Sequence, residues 1–335
     1  MNYINESKAE PFRTGRRGFL ALLSAAVLWT GLPGCRKSPH PLRVAAHIWP
    51  GYEFMFLAQR EGFLDGGLVT LRETASSTES MKALADGEVD AAALTLDEVL
   101  RARAIGVRLS VVLVFDISAG ADVLLGRAPI RQLGEIKGKR IGVEEGALGA
   151  LMLAEALQAA GLQHGDVQVV PLTIDQHESA WRRGEVDVLV CFPPVSAHLL
   201  EAGAVNLFDS RQLPDTIVDV LAVKQSVLEE NRDAVQHLVK AHLVARHLMH
   251  HNPQDSSFRM ARHLNLHANE VLSSFKGLVL ADLENNRRLL GGEKPVLSDR
   301  ARKLSEVMVQ AGLLPKADTL NALLRADFLP KDEDV

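Results

Sequence analysis

The chain has 335 residues, of which 47% are hydrophobic and 24% are charged, and its formal net charge is −5. This length predicts one large domain or two medium ones, and the composition is that of a globular protein with a sizeable core. The acidic balance and the lack of a basic block in the sequence argue against binding to nucleic acid.

The N-terminal region contains an apolar run over residues 18–32, which follows Arg13, Arg16 and Arg17. The run is shorter than the ~20 apolar residues that span a bilayer. A positive region followed by a short apolar region predicts a secretory signal peptide over residues 1–34. The paired arginines also resemble a twin-arginine signal. Gly15 stands where that signal usually has Ser or Thr, so the export route stays open.

The signal ends in Leu32-Pro33-Gly34-Cys35, which resembles a bacterial lipobox. This motif predicts that Cys35 becomes an acylated (palmitate-bearing) N-terminus, with residues 35–41 as a tether. The alternative is a disulfide with Cys191, the second of the two cysteines in the sequence. The lipobox explains Cys35 better. We therefore expect an exported lipoprotein that is held at the periplasmic, extracytoplasmic side of a membrane by lipid alone.

The rest of the sequence alternates predicted strands and helices. Strands are predicted over residues 42–48, 68–71, 89–94, 109–115, 140–143, 167–172 and 217–223, and helices over residues 54–60, 77–85, 96–105, 150–160 and 231–250. Nearly continuous apolar strands between helices indicate an α/β fold with parallel sheets covered on both faces. Beyond residue 223 we expect helices only.

A four-residue motif, Gly-Glu-Val-Asp, occurs at residues 87–90 and again at residues 184–187, 97 positions later. Each copy follows a predicted helix and precedes an apolar strand and a further helix. Identical residues in matching contexts indicate two similar α/β lobes, and two copies are too few for a solenoid.

Several motifs resemble the periplasmic solute-binding proteins of ABC importers, in the nitrate, sulfonate, taurine and thiamine-precursor group. They are WPGYE at 49–53, LA at 57–58, EGF at 61–63, LADGEVD at 84–90, DISAGAD at 116–122, KGKRIGV at 137–143 and FPP at 192–194. The resemblance implies the two-lobed type II periplasmic-binding fold, a Venus-flytrap with a hinge near residues 121–123 and 214–219 and a helical C-terminal segment. Lobe 1 would comprise residues 42–121 and 216–335, and lobe 2 residues 122–215.

The resemblance also implies a function. A monomeric substrate-binding lipoprotein would capture a small organic solute and deliver it to permease and ATPase subunits, without a cofactor. The family uses nitrate, sulfonates, taurine, pyrimidines and flavins as solutes. Two alternatives remain, a solute sensor for a signalling partner and an enzyme on the same fold. No nucleophile–base set supports an enzyme. The family's pyrimidine-synthesising branch carries a cysteine-rich run, where this chain has Cys191 alone.

The predicted ligand site lies in the loops beyond the carboxyl ends of the strands. Trp49 and Tyr52 carry the sharpest signal, because they are two of the three Trp and Tyr residues that follow Cys35. Their rings suit the wall of a small-molecule site, although a packed surface turn is the alternative. The full set of predicted ligand-binding residues is Trp49, Tyr52, Glu53, Ser77, Thr78, Thr95, Asp116, Ser118, Asp122, Gly146, Gly149, Phe192 and Pro193.

Two features of these loops leave the charge of the ligand open. The segment at residues 76–79 has the pattern of a helix capping box, and such a helix N-terminus can also present N–H groups to an anion. The acidic residues in or beside the loops instead suit an amine or nitrogen heterocycle, unless they face solvent. His47 is the one candidate cation there.

Five histidines, at positions 237, 242, 247, 250 and 251, fall on one predicted helix. A helix turns ~100° per residue, which places His237 and His242 about 140° apart. We therefore expect a solvated helix surface and no metal site.

Overall fold

The computed structural model describes residues 40–331, so the predicted signal peptide, Cys35 and nearly all of the tether lie outside the described residues. The strands are β1 Leu42–Ala46, β2 Val69–Glu73, β3 Ala91–Thr95, β4 Leu109–Ser118, β5 Val123–Gly126, β6 Arg140–Val143, β7 Gln168–Pro171, β8 Val188–Cys191, β9 Val205–Asp209, β10 Val218–Lys224 and β11 Leu278–Leu280.

The helices are α1 Glu53–Arg60, α2 Ser77–Asp86, α3 Leu96–Ala104, α4 Leu148–Ala160, α5 Ile174–Arg182, α6 Val195–Glu201, α7 Arg232–His251, α8 Pro253–Ala261, α9 Ala268–Ser274, α10 Leu283–Leu290 and α11 Val296–Gln310. Each predicted helix is present, and its observed ends lie within two residues of the predicted ones. Within residues 40–331, none of the helices combines the length and apolar character needed to cross a membrane.

The first sheet has six strands in the order β11-β4-β10-β3-β1-β2. β1 runs parallel to β2 and β3, whereas β10 runs antiparallel between β3 and β4, and β11 runs antiparallel on the outer side of β4. The α/β class is confirmed, but the sheet is mixed and corrects the prediction of parallel sheets. The apolar run at 217–223 gave no sign of its direction, because central strands of either direction are buried on both faces.

The second sheet has five strands in the order β7-β6-β8-β5-β9. β6 is parallel to β7 and β8, and β5 lies antiparallel between β8 and β9. The sequence analysis missed β5 and β9. β5 has only four residues, and three of the five residues of β9 are not fully buried, so neither strand carries a strong apolar signal.

Alternate residues of the central strands pack against helices on the two faces of the first sheet. Ala91 and Ala93 of β3 belong to one buried cluster, which includes apolar residues of α1 and α7. Ala92 and Leu94 belong to another cluster, which includes residues of α2 and α3. Burial on both faces explains why β3 is apolar at every position but its last.

The C-terminal part of the chain is largely helical. α7 ends before Pro253, which begins α8, as expected of a residue that cannot continue a helix but fits its first turn. The prediction of helices only is corrected by β11, which pairs with β4. His242 is fully buried, against the expectation of a solvated surface, and burial lowers its pKa to about 3.

The chain passes between the two sheets twice, from β4 to β5 and from β9 to β10. Ser210 ties these two crossings together. Its hydroxyl lies 2.8 Å from the Ser118 hydroxyl and accepts a hydrogen bond of 2.6 Å from the backbone N–H of Gly120. The structure therefore has two neighbouring connections of the kind that a hinge requires.

The repeated motif ends in an aspartate that holds the start of a neighbouring strand. The guanidinium of Arg43 in β1 donates two hydrogen bonds to Asp90, of 2.9 and 2.7 Å. Arg140 in β6 donates two to Asp187, of 3.0 and 2.7 Å. Each arginine also donates its backbone N–H to the same carboxylate, at 3.1 Å in both copies. The motif is therefore part of the frame of each sheet.

Candidate ligand-binding cleft

The aromatic residues of the cleft follow the end of β1. Trp49 and Tyr52 flank a single 3₁₀ turn, Pro50–Tyr52, and both side chains are buried. The Trp49 indole N–H donates to Asp116 Oδ2 at 3.2 Å. A Cβ on Gly51 would lie 1.8 Å from that oxygen, so no other residue fits this turn without displacing Asp116.

Phe192 completes the group of rings from the other sheet, because it follows β8. Its ring centroid lies 5.2 Å from that of Trp49 at an interplanar angle of 87°, and 5.7 Å from that of His47. The Tyr52 ring lies 6.4 Å from Trp49. The rings therefore form a box that draws on both sheets. The Trp49–Phe192 pair is edge-to-face, and the other two pairs are tilted.

A pair of buried carboxyls lies beneath this box, at the end of the first sheet. The register of β10 places Asp219 opposite Asp116 of β4. Tyr52 donates its hydroxyl to Asp219 Oδ1 at 2.5 Å. Burial raises the pKa of Asp116 to about 7, and burial together with Asp116 raises the pKa of Asp219 as well. Asp116 Oδ1 and Asp219 Oδ2 have no hydrogen-bond partner among the described residues.

Asp122 lies at the first crossing between the sheets, and its side chain lines the cleft. It is 2% exposed, and its Oδ2 has no hydrogen-bond partner among the residues the structure describes. Burial raises its pKa to about 7, against a smaller opposite effect of Ser118. A buried carboxylate without a partner carries a large desolvation cost, which a ligand can relieve.

Two glutamates bridge the lobes by capping helix N-termini. Glu98 of α3 accepts hydrogen bonds from the backbone N–H groups of Thr95 and Leu148, at 2.9 and 3.1 Å. Glu144, which follows β6, accepts from the backbone N–H and the hydroxyl of Thr78, at 2.9 and 2.5 Å. Burial and then the nearby Asp97 raise the pKa of Glu98 to about 8. Free N–H groups at these helix ends are thus partly occupied by the protein's own carboxyls.

Two adjoining cavities make up the cleft, and they are small, with volumes of about 20 and 10 Å³. Both are lined by Ser77, Glu98, Asp122, Leu148 and Phe192. These five residues come from α2, α3, the first crossing, α4 and the segment after β8. The walls of the cleft are therefore contributed by elements of both sheets.

The structure brings together seven of the predicted site residues. Those that line a cavity are Trp49, Tyr52, Ser77, Thr95, Asp122, Gly149 and Phe192. Four others lie just behind them: Asp116 beneath Trp49, Thr78 on Glu144, Gly146 against Thr78, and Ser118 beside Ser210. Pro193 does not line either cavity.

Glu53 does not face the cleft. Its carboxylate is 1% exposed, is held by Arg60 at 2.5 Å and contacts the Nδ1 atom of His263. The physical reason is its position at the start of α1, which turns the side chain towards α8 and away from the strand ends. The sequence could not show this, because His263 lies 210 positions away.

Several residues that line the cleft are not in the predicted ligand-binding set, although His47 was named as a candidate cation. They are His47, Glu98, Glu144, Ala147, Leu148, Met152, His177, Val190 and Asp219. Two had a detectable signal: Glu98 stands three residues after Thr95 in a capping-box spacing, and Asp219 interrupts an apolar strand. Burial lowers the pKa of both His47 and His177 to about 4, so these rings are neutral at pH 7.

The segment 76–79 caps α2, as its spacing predicts. The Ser76 hydroxyl accepts from the Glu79 N–H at 3.2 Å, and Glu79 accepts in return from the Ala75 N–H at 2.8 Å. Within residues 40–331, no group of three or more His, Cys, Asp or Glu side chains is arranged to hold a metal ion. Cys191 is buried in β8, and burial raises the pKa of its thiol, which makes it a poor nucleophile.

Comparison with protein families gives a match to the NMT1-like family over residues 38–264. The chain belongs to the NMT1-like family. This confirms the resemblance found in its motifs. This NMT1-like protein is 25% identical to the taurine-binding periplasmic protein of Escherichia coli, over 72% of its own length and 78% of that protein's. A Brucella abortus protein named as a binding protein is 28% identical, but the match covers only 44% of that protein's length and 41% of this chain.

Solved structures confirm the two-lobed periplasmic-binding fold. The alkanesulfonate-binding protein SsuA from Xanthomonas axonopodis pv. citri, bound to MOPS, superposes with a TM-score of 0.72 at 20% identity, over 86% of this chain and 99% of that one. The periplasmic aliphatic sulphonate binding protein SsuA of Escherichia coli gives a TM-score of 0.68 at 22% identity, over 87% and 99%. The desulfurization enzyme DSZB superposes with a TM-score of 0.61 at 18% identity, over 86% of this chain and 97% of that one. Enzymes therefore occur on this fold as well. These similarities concern the fold alone.

Proposed function

We propose that this NMT1-like protein is the substrate-binding lipoprotein of an ABC importer, which captures a small organic solute in the cleft and delivers it to a permease. The observation that carries the proposal is the cleft itself. Its walls come from both sheets, and two adjacent crossings connect those sheets. A solute that contacts both walls stabilises the closed arrangement, and the closed shape is what a permease recognises.

The lobes that move would be residues 42–121 with 216–335, and residues 122–215. The residues that contact the solute would be the seven predicted ones that line the cleft. Thr78 and Gly146 would act at the seam between the lobes, where a Cβ on Gly146 would lie 2.9 Å from the Thr78 hydroxyl oxygen. The similarity to periplasmic binding proteins supports export and a location on the extracytoplasmic side of the membrane.

Thermal-shift screening followed by solution scattering tests this function. A ligand at a hundredfold excess over its Kd raises the free energy of unfolding by ~2.7 kcal/mol. The same ligand should reduce the radius of gyration if the lobes close on it. A ligand that stabilises the protein without any change in the radius of gyration would contradict closure.

Cys35 would carry the membrane anchor, because it ends the lipobox-like segment. A single acyl chain anchors a protein only marginally, so at least two chains are expected. Cys35→Ala, expressed in a bacterial host, should move the protein from the detergent-soluble membrane fraction to the soluble fraction. A parent protein that is as freely soluble as the variant would exclude lipid anchoring.

A further inference from the structure

The charge of the solute can be inferred from which polar atoms of the cleft already have hydrogen-bond partners within the protein. Asp122 Oδ2 is buried, lines both cavities and has no partner within residues 40–331. Asp219 also lines the second cavity, and its Oδ2 has no hydrogen-bond partner among the described residues. The cleft therefore contains buried carboxyl oxygens without partners, and these gain most from a ligand that brings a positive charge or N–H donors.

Two of the helix-end donors that an anion would use are, by contrast, occupied by the protein. The N–H of Leu148 at the start of α4 donates to Glu98, and the N–H of Thr78 at the start of α2 donates to Glu144. Helix N-termini are the usual anion sites of a cleft without cations. A sulfonate entering here would meet two carboxyls at the positions where its own oxygens would have to bind.

No basic side chain compensates for these acids. Among the residues that line the two cavities, all from the described part of the chain, none is Lys or Arg. His47 and His177 are the basic residues of the lining, and burial keeps both neutral at pH 7. Arg101 lies close by on α3 but lines neither cavity. Its Nη1 donates to the backbone carbonyl of Glu145 at 3.1 Å, and its Nε and Nη2 have no partner among the described residues.

The rings of the cleft complete the arrangement. Trp49, Tyr52 and Phe192 border the cavity that Asp122 and Asp219 also line. The faces of such rings attract a cation, and attraction is strongest where water is excluded. A box of three rings with carboxyls at its base is the arrangement that recognises an ammonium group on a small organic body.

We propose that the solute is an organic cation, a protonated amine, whose charged group lies between Asp122 and the Trp49–Tyr52–Phe192 box. The inference rests on the proposed function and narrows it to one class of solute. It separates this chain from the relatives whose names specify alkyl sulfonates, although their fold is shared.

Calorimetry with charge-paired solutes tests the inference. Ethyl-, butyl- and benzylamine are each paired with the sulfonate of the same carbon skeleton, and all are titrated into the full chain at about pH 8, where the amines stay protonated and Asp122, with a pKa of about 7, is mostly ionised. We expect at least one amine to bind ~10-fold or more tighter than its paired sulfonate. A sulfonate that binds as tightly as its amine would overturn the inference and leave the solute-binding function intact. Failure of every amine to bind would overturn it too.

Asp122→Asn provides the matched variant, because an amide has the shape of the carboxyl but no charge. It should weaken binding of the preferred amine by ~30-fold or more, as expected for loss of one partner of a buried charge pair. Asp233→Asn is the control, since Asp233 is exposed on α7. Equal loss in both variants, or no loss in Asp122→Asn, would contradict the assignment of Asp122.

Discussion

The two halves of the molecule share their strand pairing and their Arg–Asp pairs, which together we call the frame. They do not share the residues that line the cleft. β3 pairs with β1 through Val44–Ala91 and Ala45–Ala92, and β8 pairs with β6 through Ile141–Val188 and Gly142–Leu189. Every residue of the second set stands 97 positions after its counterpart. The Arg–Asp clamps obey the same spacing and agree in their shortest distance, 2.7 Å.

The positions that immediately follow these strands differ between the copies. Where the first half has His47 after β1, the second has Glu144 after β6. Where the first half ends β3 in Thr95, the second has Phe192 after β8. All four residues line the cleft. The repeated positions therefore serve the fold, and the departures from the repeat mark the binding site.

The acids of the molecule divide in the same way. Asp90 and Asp187 of the frame are each clamped by an arginine, and their pKa values are lowered: burial alone would raise that of Asp90, but its bonds to Arg43 outweigh burial, and Arg140 lowers that of Asp187. Asp122 of the cleft has no such partner, and its pKa is raised to about 7. Aspartates therefore stabilise the fold where an arginine holds them, as at Asp90 and Asp187. They destabilise it where they are buried without a partner, as at Asp122.

The largest expected effect is the contribution of Asp122 to the pH dependence of the protein's free energy of unfolding. A carboxyl with a pKa of ~3.9 when unfolded and about 7 when folded holds its proton longer in the folded state, so the free energy of unfolding falls as pH rises from about 4 to about 7. Asp122→Asn should remove up to ~4 kcal/mol of this loss and be more stable than the parent at pH 8. Urea unfolding at pH 5 and pH 8 measures it.

The control for this prediction is Asp187→Asn, which should behave in the opposite sense. A carboxyl with a lowered folded pKa stabilises the protein above its unfolded pKa, so this variant should be less stable than the parent at pH 8. The buried, neutral side chains of His47 and His177 also lower the free energy of unfolding as pH falls below about 6.5. This effect is the same in the parent and in the variants. An Asp122→Asn variant that is destabilised at pH 8 would refute the distinction between cleft and frame.

The next largest effect is expected on affinity at the aromatic box. Trp49→Ala and Tyr52→Ala should each weaken solute binding by ~2 kcal/mol or more, which is roughly thirtyfold. Trp181 is the control, because it packs in α5 beneath the Arg127 guanidinium, 4.4 Å from its ring centroid, and lines neither cavity. Calorimetry measures solute binding by these variants and by Trp181→Phe, after circular dichroism has confirmed that each variant folds. Unchanged affinity in both alanine variants would remove the box from the site.

The smallest effect is expected at the frame. Asp90→Asn and Asp187→Asn each disrupt a bidentate pair that is partly exposed, so the cost in free energy of unfolding should be ~1 kcal/mol. Because the geometry is the same, the two losses at pH 7 should agree within a few tenths of a kcal/mol, with affinity unchanged. A loss of solute binding in either variant would show that the repeat belongs to the site.

Local sequence patterns predicted most of the frame. The apolar runs of β3 and β8, the capping sequence at Ser76 and the doubled motif each depend on residues close together in the chain, and each was identified. The direction of β10 and the short strands β5 and β9 were not, because they depend on pairing partners that lie far away in sequence.

The cleft was only partly predictable. Trp49, Asp122 and Phe192 were found because they follow strands or occur in recognisable motifs. Glu98 and Asp219 were missed because their role depends on contacts across the chain: Glu98 meets Leu148, 50 positions away, and Asp219 meets Tyr52, 167 positions away. Glu53 was included for its neighbours in sequence and is turned away by α1. Burial of charge is a tertiary property that a local pattern does not carry.

The central claim, that solute binds against Trp49 between the two lobes, is tested most directly by tryptophan fluorescence. The preferred solute of the charge-paired set is titrated into the parent, Trp49→Phe and Trp181→Phe. A ring in contact with bound solute changes its emission, so the signal should persist in Trp181→Phe and disappear in Trp49→Phe at solute concentrations that saturate both by calorimetry. A binding signal that persists in Trp49→Phe and disappears in Trp181→Phe would place the solute away from the cleft and contradict the account.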